Sequence, residues 1–538
     1  MCKKNVFLDQ AGYLPEMTKK AVITTNAKSF VITDENGTVV FKGNTTEFGY
    51  DEASGDTVYI ADFTELTKVG RYHISLNSGE SSCLFEIRND IYERCFDDVC
   101  KAYYYLRCGC GLEERYAGKF THAPCHTEKA LLWDDNSILL DVSGGWHDAG
   151  DYGRYSTAAA CALGHLLYAY KFYPDVFQKQ KLSIPESGDA LPDMLAECKV
   201  ELEWLMKMQR EDGAVYHKAT TAHHAPFVMP EDDTAQMFLL PPSSMATADA
   251  AAVFALASGI FREFDCDFAD KLLTASLKSF GWLEHNPGFL FEHSDGCTTG
   301  GYGEMRDTDN RFWAAAELYS VTGQTRFRDM LESLVKEDIN LTALGYADIA
   351  GLGALSYIMC TDENDALRRT FISNFIRNAE ALAAISDKCG YGAALTPDMR
   401  GYHWGSNMTL LKNGMIFLIA DRFEGKNRFE GYAAAQLHYL LGCNALGFSY
   451  VSGTGEHSIQ HPHLRPTSAD GIDECIPGMV SGGPNGRPSD EDARRLIPEG
   501  TPPMKCFADD ELCYSLNEIT IYWNSPAVFV LAHFNREK

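Results

Sequence analysis

Positive charge is scarce in this 538-residue sequence. Its 47 lysines and arginines face 75 aspartates and glutamates, a formal net charge of -28. A chain so acidic repels phosphate, which excludes nucleic acid as a partner and suits a neutral ligand. Long apolar runs are lacking too. With no run of about 18 apolar residues, the sequence predicts no membrane-spanning helix. The basic start Met1-Cys-Lys-Lys has no apolar segment behind it, so the expectation is a cytoplasmic protein without a secretory leader. No short repeat is present. Cysteine is not scarce, but the count of 17 is odd, and Cys100, Cys161, Cys198 and Cys360 lie in apolar helical patterns. Such thiols read as buried and reduced, not as a disulfide framework.

What is present is a core. Hydrophobic residues make up 45% and aromatics 12%, the composition of a well-packed globular protein, and the length favours two domains. Residues 1–88 carry short β-branched or alternating runs, among them Ala21-Val-Ile-Thr-Thr, Ser29-Phe-Val-Ile-Thr and Asp56-Thr-Val-Tyr-Ile-Ala. Turn signals such as Asp34-Glu-Asn-Gly37 separate them, which predicts a small all-β sandwich. From residue 89 to 538 the period is helical. About a dozen helices are expected, including 93–107, 156–174, 191–209, 246–264, 407–423 and 517–534. That number suits a barrel of paired helices. The loops between them are long and rich in Gly, Pro, His and aromatics. The most irregular spans 443–516; it and 217–245 are candidates to close one end of a binding cleft.

The chemistry concentrates in Ser143-Gly-Gly-Trp-His-Asp-Ala-Gly-Asp-Tyr-Gly-Arg-Tyr155. Asp148 and Asp151 sit three residues apart on a glycine-rich loop just before a helical pattern. The residue types leave three readings open: a metal site, a helix cap or activation of a water. Far along the chain, Glu518 opens an apolar helical pattern beside Tyr514, Tyr522 and Trp523. There a carboxyl group either faces the positive end of the helix dipole or is kept protonated by partial burial as a general acid. An acid on one side of a bond and a carboxylate base on the other is what inverting glycoside hydrolysis requires. Trp146, Tyr302, Trp313 and Trp404 are candidate platforms for sugar rings. A second constellation comprises Cys108-Gly-Cys110, His122, Cys125, His126 and His147. It mixes thiolate and imidazole as Zn²⁺ sites do. With four protein ligands no coordination position stays open, so such a zinc would be structural. Through His147 it would anchor the loop carrying Asp148 and Asp151.

These residues resemble glycoside hydrolase family 9. Gly144-Gly-Trp-His-Asp-Ala-Gly-Asp-Tyr-Gly153 is similar to the family's first signature, and Tyr514-Ser-Leu-Asn-Glu518 to its second. Tyr402-His-Trp-Gly-Ser-Asn407, Leu441-Gly-Cys-Asn444 and Pro462-His-Leu-Arg465 follow in the family's order. Asp9-Gln-Ala-Gly-Tyr-Leu-Pro15 resembles the first strand of an Ig-like module found in one subgroup. The resemblance implies a mainly α protein, an (α/α)6 barrel (89–538) preceded by a small immunoglobulin-like sandwich (1–88). It implies an enzyme, an inverting endo-β-1,4-glucanase or cellodextrinase acting on cello-oligosaccharides or soluble β-glucans. Carried over by position, Asp151 is the general base, Asp148 holds the nucleophilic water and Glu518 is the general acid. His463, Arg465 and Tyr514 are implied to contact substrate, beside the candidate platforms Trp146, Tyr302, Trp313 and Trp404 read from residue type. Cys108, Cys125, His126 and His147 are implied to hold a structural zinc. Calcium is also implied, with Glu231-Asp-Asp233 and Asp249 as candidate ligands, and no organic cofactor.

Two departures stand out. Leu464 lies where the family usually has a second histidine, so one polar sugar contact is expected to be missing. Asp309-Asn310 replaces a more usual Asp-Glu pair. The altered stretch keeps two alternatives in view: an exo-acting hydrolase of another β-linked sugar, such as glucosamine or xylose oligomers, and a non-catalytic carbohydrate-binding protein. Endo versus exo action is not written in the sequence.

Overall fold

The computed structural model describes residues 5–537; Met1–Lys4, where a leader was sought, lie outside the described residues. By contact the chain falls into two compact units. One comprises residues 1–102, 376–467 and 472–538, the other 103–375 and 468–471.

The first unit begins with eight strands. They are β1 (Val6–Phe7), β2 (Lys20–Ile23), β3 (Ser29–Asp34), β4 (Val39–Asn44), β5 (Thr46–Asp51), β6 (Asp56–Asp62), β7 (Gly70–Leu76) and β8 (Phe85–Ile87). They form two four-stranded sheets, ordered β1-β2-β6-β5 and β4-β3-β7-β8, with antiparallel pairing throughout. Alternation sends Phe30, Ile32, Tyr72 and Ile74 inward, each 2% exposed or less, as a half-buried pleated face requires. The anticipated turn forms as Asp34 Oδ1 accepts from the backbone N–H groups of Asn36 and Thr38 at 3.0 and 2.8 Å. Gly37, at φ +76°, supplies the left-handed conformation. Within this unit Asp9 of the opening motif is fully buried. Its Oδ2 accepts from Tyr92 at 2.9 Å and pairs with His438 Nδ1 at 2.8 Å, so that motif ties the sandwich to helix Glu430–Leu440.

Twelve principal helices follow, in two alternating kinds. Ser156–Phe172, Ser244–Phe261, Thr308–Thr322, Ala350–Cys360, Ser406–Glu424 and Ile521–Phe534 are buried over most of their surface. Their neighbours in sequence, including Asp193–Lys207, Cys266–His285, Thr325–Leu334 and Ala366–Ser386, keep an exposed face. A helix apolar all round belongs inside, and a one-faced helix belongs on an outer layer. Ser244–Phe261 shows why composition alone misleads here. Its 18 residues are apolar enough to cross a bilayer, yet 94% of them are buried within the protein. Among the described residues no cysteine forms a disulfide.

One sheet was not anticipated. Strands β9 (Ala130–Leu132), β10 (Leu139–Leu140), β11 (Arg154–Tyr155), β12 (Lys218–Thr221) and β13 (Met237–Leu239) pair in the order β10-β9-β13-β12-β11. They are two to four residues long, too short to print a period on the sequence. β11 directly follows the loop bearing Asp148 and Asp151, and β12 leads into loop 222–233.

Candidate active site

The loop from Ser143 to Tyr155 is fixed from behind. Residues 106–108 run antiparallel to 145–147: His147 N–H donates to the Leu106 carbonyl and Cys108 N–H to that of Gly145, each at 2.7 Å. Gly145 has φ +76°, and a Cβ there would lie 2.7 Å from the Trp204 ring and 2.9 Å from Glu201, so no side chain fits. Trp146 is fully buried. Its indole N–H donates to Glu197 at 2.8 Å and its backbone N–H to Glu201 at 2.5 Å. Glu197 also takes the Arg107 guanidinium at 2.8 and 3.0 Å. Trp146 therefore holds the loop and offers no face to a sugar. Trp313 is likewise fully buried and donates to Glu317 at 2.9 Å. Both expected platforms are corrected to core residues.

The capping reading of the two aspartates also fails. Helix Ser156–Phe172 has Tyr155 as its N-cap, with no side-chain cap, and Asp148 and Asp151 lie upstream in the loop. Asp148 is fully buried. Its Oδ2 accepts from the Tyr302 hydroxyl at 2.5 Å, while its Oδ1 has no protein partner. Burial pushes its carboxyl well above the usual range, the Tyr302 hydrogen bond opposes this, and the charge of Asp151 adds to it. Asp151 is 7% exposed. Its Oδ2 receives Gly153 N–H at 3.2 Å, the Tyr155 hydroxyl at 3.4 Å and His224 Nδ1 at 3.2 Å. Gly153 has no room for a side chain, because a Cβ would lie 2.9 Å from the Asp151 carboxylate.

Tyr302, expected as a sugar platform, is the hydrogen-bond partner of Asp148. It has φ +47°, uncommon for a bulky residue, and its loop is clamped to hold it. Lys218 Nζ, buried, donates to the carbonyls of Gly300 at 2.7 Å and Thr299 at 3.2 Å. His217 Nε2 meets the Gly301 carbonyl at 2.9 Å, and its Nδ1 meets Ser243 Oγ at 2.8 Å. Burial drives the His217 pKa down to about 3, so the ring is neutral. Nε2 then carries the proton given to the carbonyl and Nδ1 accepts from the serine.

The metal constellation closes as Cys108, Cys125, His126 and His147, all buried, with donor atoms within 4.8 Å of one another. His147 Nε2 and His126 Nδ1 are 3.4 Å apart, and Cys125 Sγ is 3.9 Å from His147 Nε2. A tetrahedron with zinc–nitrogen bonds of about 2.0–2.1 Å has an N–N edge of roughly 3.3 Å, so the four donors fit a zinc ion. On its far side His126 Nε2 meets Asp233 Oδ2 at 3.3 Å, the carboxylate–histidine arrangement that orients a metal ligand. Asp233, read as a calcium candidate, thus serves this cluster, and Glu231 accepts from Ala123 N–H at 3.1 Å. Cys110 and His122 are not part of the group.

Asp249, the other calcium candidate, lies in a separate acidic nest. Its Oδ1 accepts from Asn310 Nδ2 at 3.0 Å, and the same amide is 3.4 Å from Glu304. Asp249 Oδ2, Glu304 Oε2, Asp309 Oδ1 and Asn310 Oδ1 are buried oxygens without a protein partner. Burial and the mutual charges of Asp249, Asp309 and Asp348 raise the Glu304 carboxyl to about 10. Buried carboxylate and amide oxygens left without a protein partner are of the donor type that a hard cation takes. Glu304 and Asp348 were missed in sequence, where they lie in loops without any motif.

In the first unit, Glu518 is extended (φ -69°, ψ 153°) between helices Tyr514–Asn517 and Ile521–Phe534. It precedes the N-cap Thr520, so the dipole reading does not hold. Its backbone bridges that of His463, and its carbonyl accepts from Gly482 N–H at 2.9 Å. His463 Nδ1 meets the Glu511 carbonyl at 2.5 Å and therefore carries the proton. Tyr514 stacks near Trp404, at 5.3 Å between centroids, and near His463 at 5.9 Å. Trp404 is 43% exposed. Arg465 is buried. Leu464 is only 1% exposed, so the substituted position packs inward.

Comparison with known proteins agrees with this arrangement. Residues 92–531 match the model of glycosyl hydrolase family 9, and residues 2–81 that of the cellulase N-terminal Ig-like domain. A cellodextrinase from Butyrivibrio fibrisolvens is 46% identical, over 98% of this chain and 99% of its own. The crystal structure of a thermostable endoglucanase mutant from Alicyclobacillus acidocaldarius superposes with a TM-score of 0.93 at 34% identity, covering 99% and 100% of the two chains. A zinc-binding triple mutant of a family 9 endoglucanase gives 0.92 at 33% identity over 98% and 100%. The alternating helices thus form the (α/α)6 barrel of these enzymes, preceded by an Ig-like sandwich, and the chain belongs to glycosyl hydrolase family 9.

Proposed function

We propose that this protein hydrolyses β-1,4-glucosidic bonds in cello-oligosaccharides and soluble β-glucans with inversion at the anomeric carbon. Asp151 acts as general base, Asp148 holds the attacking water and Glu518 is the general acid. The observation that carries the reading is the pair of unlike carboxylates on one loop. Asp151 Oδ2 receives Gly153 N–H, the Tyr155 hydroxyl and His224 Nδ1, contacts that a carboxylate accepts. Asp148 is buried with Oδ1 unsatisfied, an acceptor for a water hydroxyl. Hydrolysis then needs one proton taken and one given. Asp151 removes the proton of the water as its oxygen attacks the anomeric carbon. Glu518 protonates the departing glycosidic oxygen, so no alkoxide is released. Trp404 and Tyr514 supply a stacking surface. Asp151→Asn and Glu518→Gln are each expected to lower kcat on cellotetraose by about 10²- to 10⁴-fold with unchanged thermal midpoints. Near-normal turnover in either variant would remove that residue from its role.

Two cations belong to this reading. Zinc at Cys108, Cys125, His126 and His147 would supply a rigid anchor for the loop and no chemistry. Calcium suits the nest of Asp249, Glu304, Asp309 and Asn310. Elemental analysis of purified protein tests both, and absence of zinc from folded, active enzyme would contradict the first. Among substrates, the identity to a cellodextrinase favours soluble oligomers. A panel of β-linked glucose, glucosamine and xylose oligomers separates this from hydrolysis of another sugar.

A further inference from the structure

Loop 222–233 follows β12 and lies within 217–245, in sequence a possible cleft-closing segment that also carries the calcium candidates Glu231-Asp-Asp233. The structure shows it pinned along its length. Thr298 N–H donates to the Ala222 carbonyl at 2.8 Å, and His223 Nδ1 meets Thr298 Oγ1 at 3.0 Å. Tyr152 donates to the Val228 carbonyl at 2.6 Å, and Asp233 meets His126. Between these anchors His224 projects to Asp151, its Nδ1 at 3.2 Å from Oδ2, with 43% of its side chain exposed.

We propose that His224 is a positioning residue for the base, whose Nδ1–H fixes the rotation of the Asp151 carboxylate and favours its ionised form. The inference rests on the assignment of Asp151 as base. An ionised carboxylate only accepts hydrogen bonds, so the proton in this contact lies on the imidazole. The other two donors to Oδ2, Gly153 and Tyr155, lie two and four residues from Asp151. They travel with the loop itself. His224 is 73 residues away in sequence and references the carboxylate to a second, independently anchored segment.

Charged and titratable groups acting on Asp151 in this unit include the Asp148 carboxyl, the Tyr155 phenol and the Lys218 ammonium, besides His224 itself. Asp148 opposes ionisation of Asp151. Lys218 favours it, but its ammonium is engaged by Thr299 and Gly300. His223 faces Thr298, and Asp233 faces His126, so neither replaces His224. Losing the imidazole donor leaves the repulsion from Asp148 less opposed, and the base becomes harder to ionise.

The test compares His224→Ala, His224→Asn and Asp151→Asn on cellotetraose across pH, with thermal midpoint and metal content measured on each. His224→Ala is expected to lower kcat by about 10- to 100-fold, the effect of one hydrogen bond to a charged group. It should also move the acidic limb of the kcat–pH profile upward, with KM changed less than kcat. His224→Asn places an amide N–H where Nδ1 was and is expected to restore both readouts in large part. If His224→Ala leaves kcat and the acidic limb at their normal values while Asp151→Asn is inactive, the proposal is overturned and the base assignment survives. A fall in kcat with an unmoved acidic limb, or with no rescue by asparagine, marks a merely structural role and also overturns it. Near-normal activity of Asp151→Asn overturns the base assignment itself.

Discussion

At the scale of single residues, like side chains do unlike work here. Trp146 and Trp404 are both tryptophans in family-like motifs, yet one is fully buried on Glu197 and the other is 43% exposed beside Tyr514. Trp404→Ala is therefore expected to raise KM for cellotetraose several-fold with little change in thermal midpoint. Trp146→Phe removes a donor from a buried carboxylate and should destabilise the fold by about 1–3 kcal/mol. Chemical denaturation alongside Michaelis kinetics distinguishes the two, and a stability loss for Trp404→Ala with unchanged KM would reverse the assignment. The sequence could not separate these residues, because burial of a loop side chain leaves no period. It did single out Asp148, Asp151, the four Cys/His donors and Glu518, since chemistry restricts which residue types can do that work. It gave no sign that the Tyr302 hydroxyl donates to Asp148.

At the scale of elements, short irregular segments carry the site and regular ones carry the frame. The pairing of 106–108 with 145–147 sets Cys108 beside His147, a contact no spacing rule reveals. The five short strands β9–β13 were illegible for the same reason, although β11 and β12 bracket the base. The acidic nest gathers Asp249 and Asp309 from two helices and Glu304 from the loop before one of them. Its behaviour with pH follows from burial. Glu304 titrates from 4.5 in the unfolded chain to about 10 in the folded one. A raised carboxyl pKa stabilises the fold below the unfolded value, and this stabilisation is lost as pH climbs toward the folded value. Without divalent cation, stability should therefore fall across this window. If the proposed calcium replaces these protons, it should raise the thermal midpoint more at pH 8 than at pH 5. Scanning calorimetry with and without calcium checks this, and a calcium effect independent of pH would contradict it.

At the scale of the whole molecule, the class was legible because it rests on period. Alternation of two gave the sandwich, helical spacing gave the dozen helices, and the number of helices matched a barrel of pairs. What period could not convey was the contact grouping, which joins the sandwich with the C-terminal helices through pairs such as Asp9 and His438. Nor could it show that loop 443–516 is tied to helix Ile521–Phe534, where Asn524 takes Val480 N–H at 2.9 Å and donates to the Gly478 carbonyl at 2.8 Å. The central claim concerns what this frame does: Asp151 directs a water onto the anomeric carbon while Glu518 protonates the leaving oxygen, in a single displacement. Proton NMR of cellotetraose hydrolysis, recorded before mutarotation, reads that event directly. The α-anomer of the newly formed reducing end should appear first, with the β-anomer growing in only as the sugar equilibrates. A β-anomer formed first would mean a double displacement through the enzyme and would contradict the account.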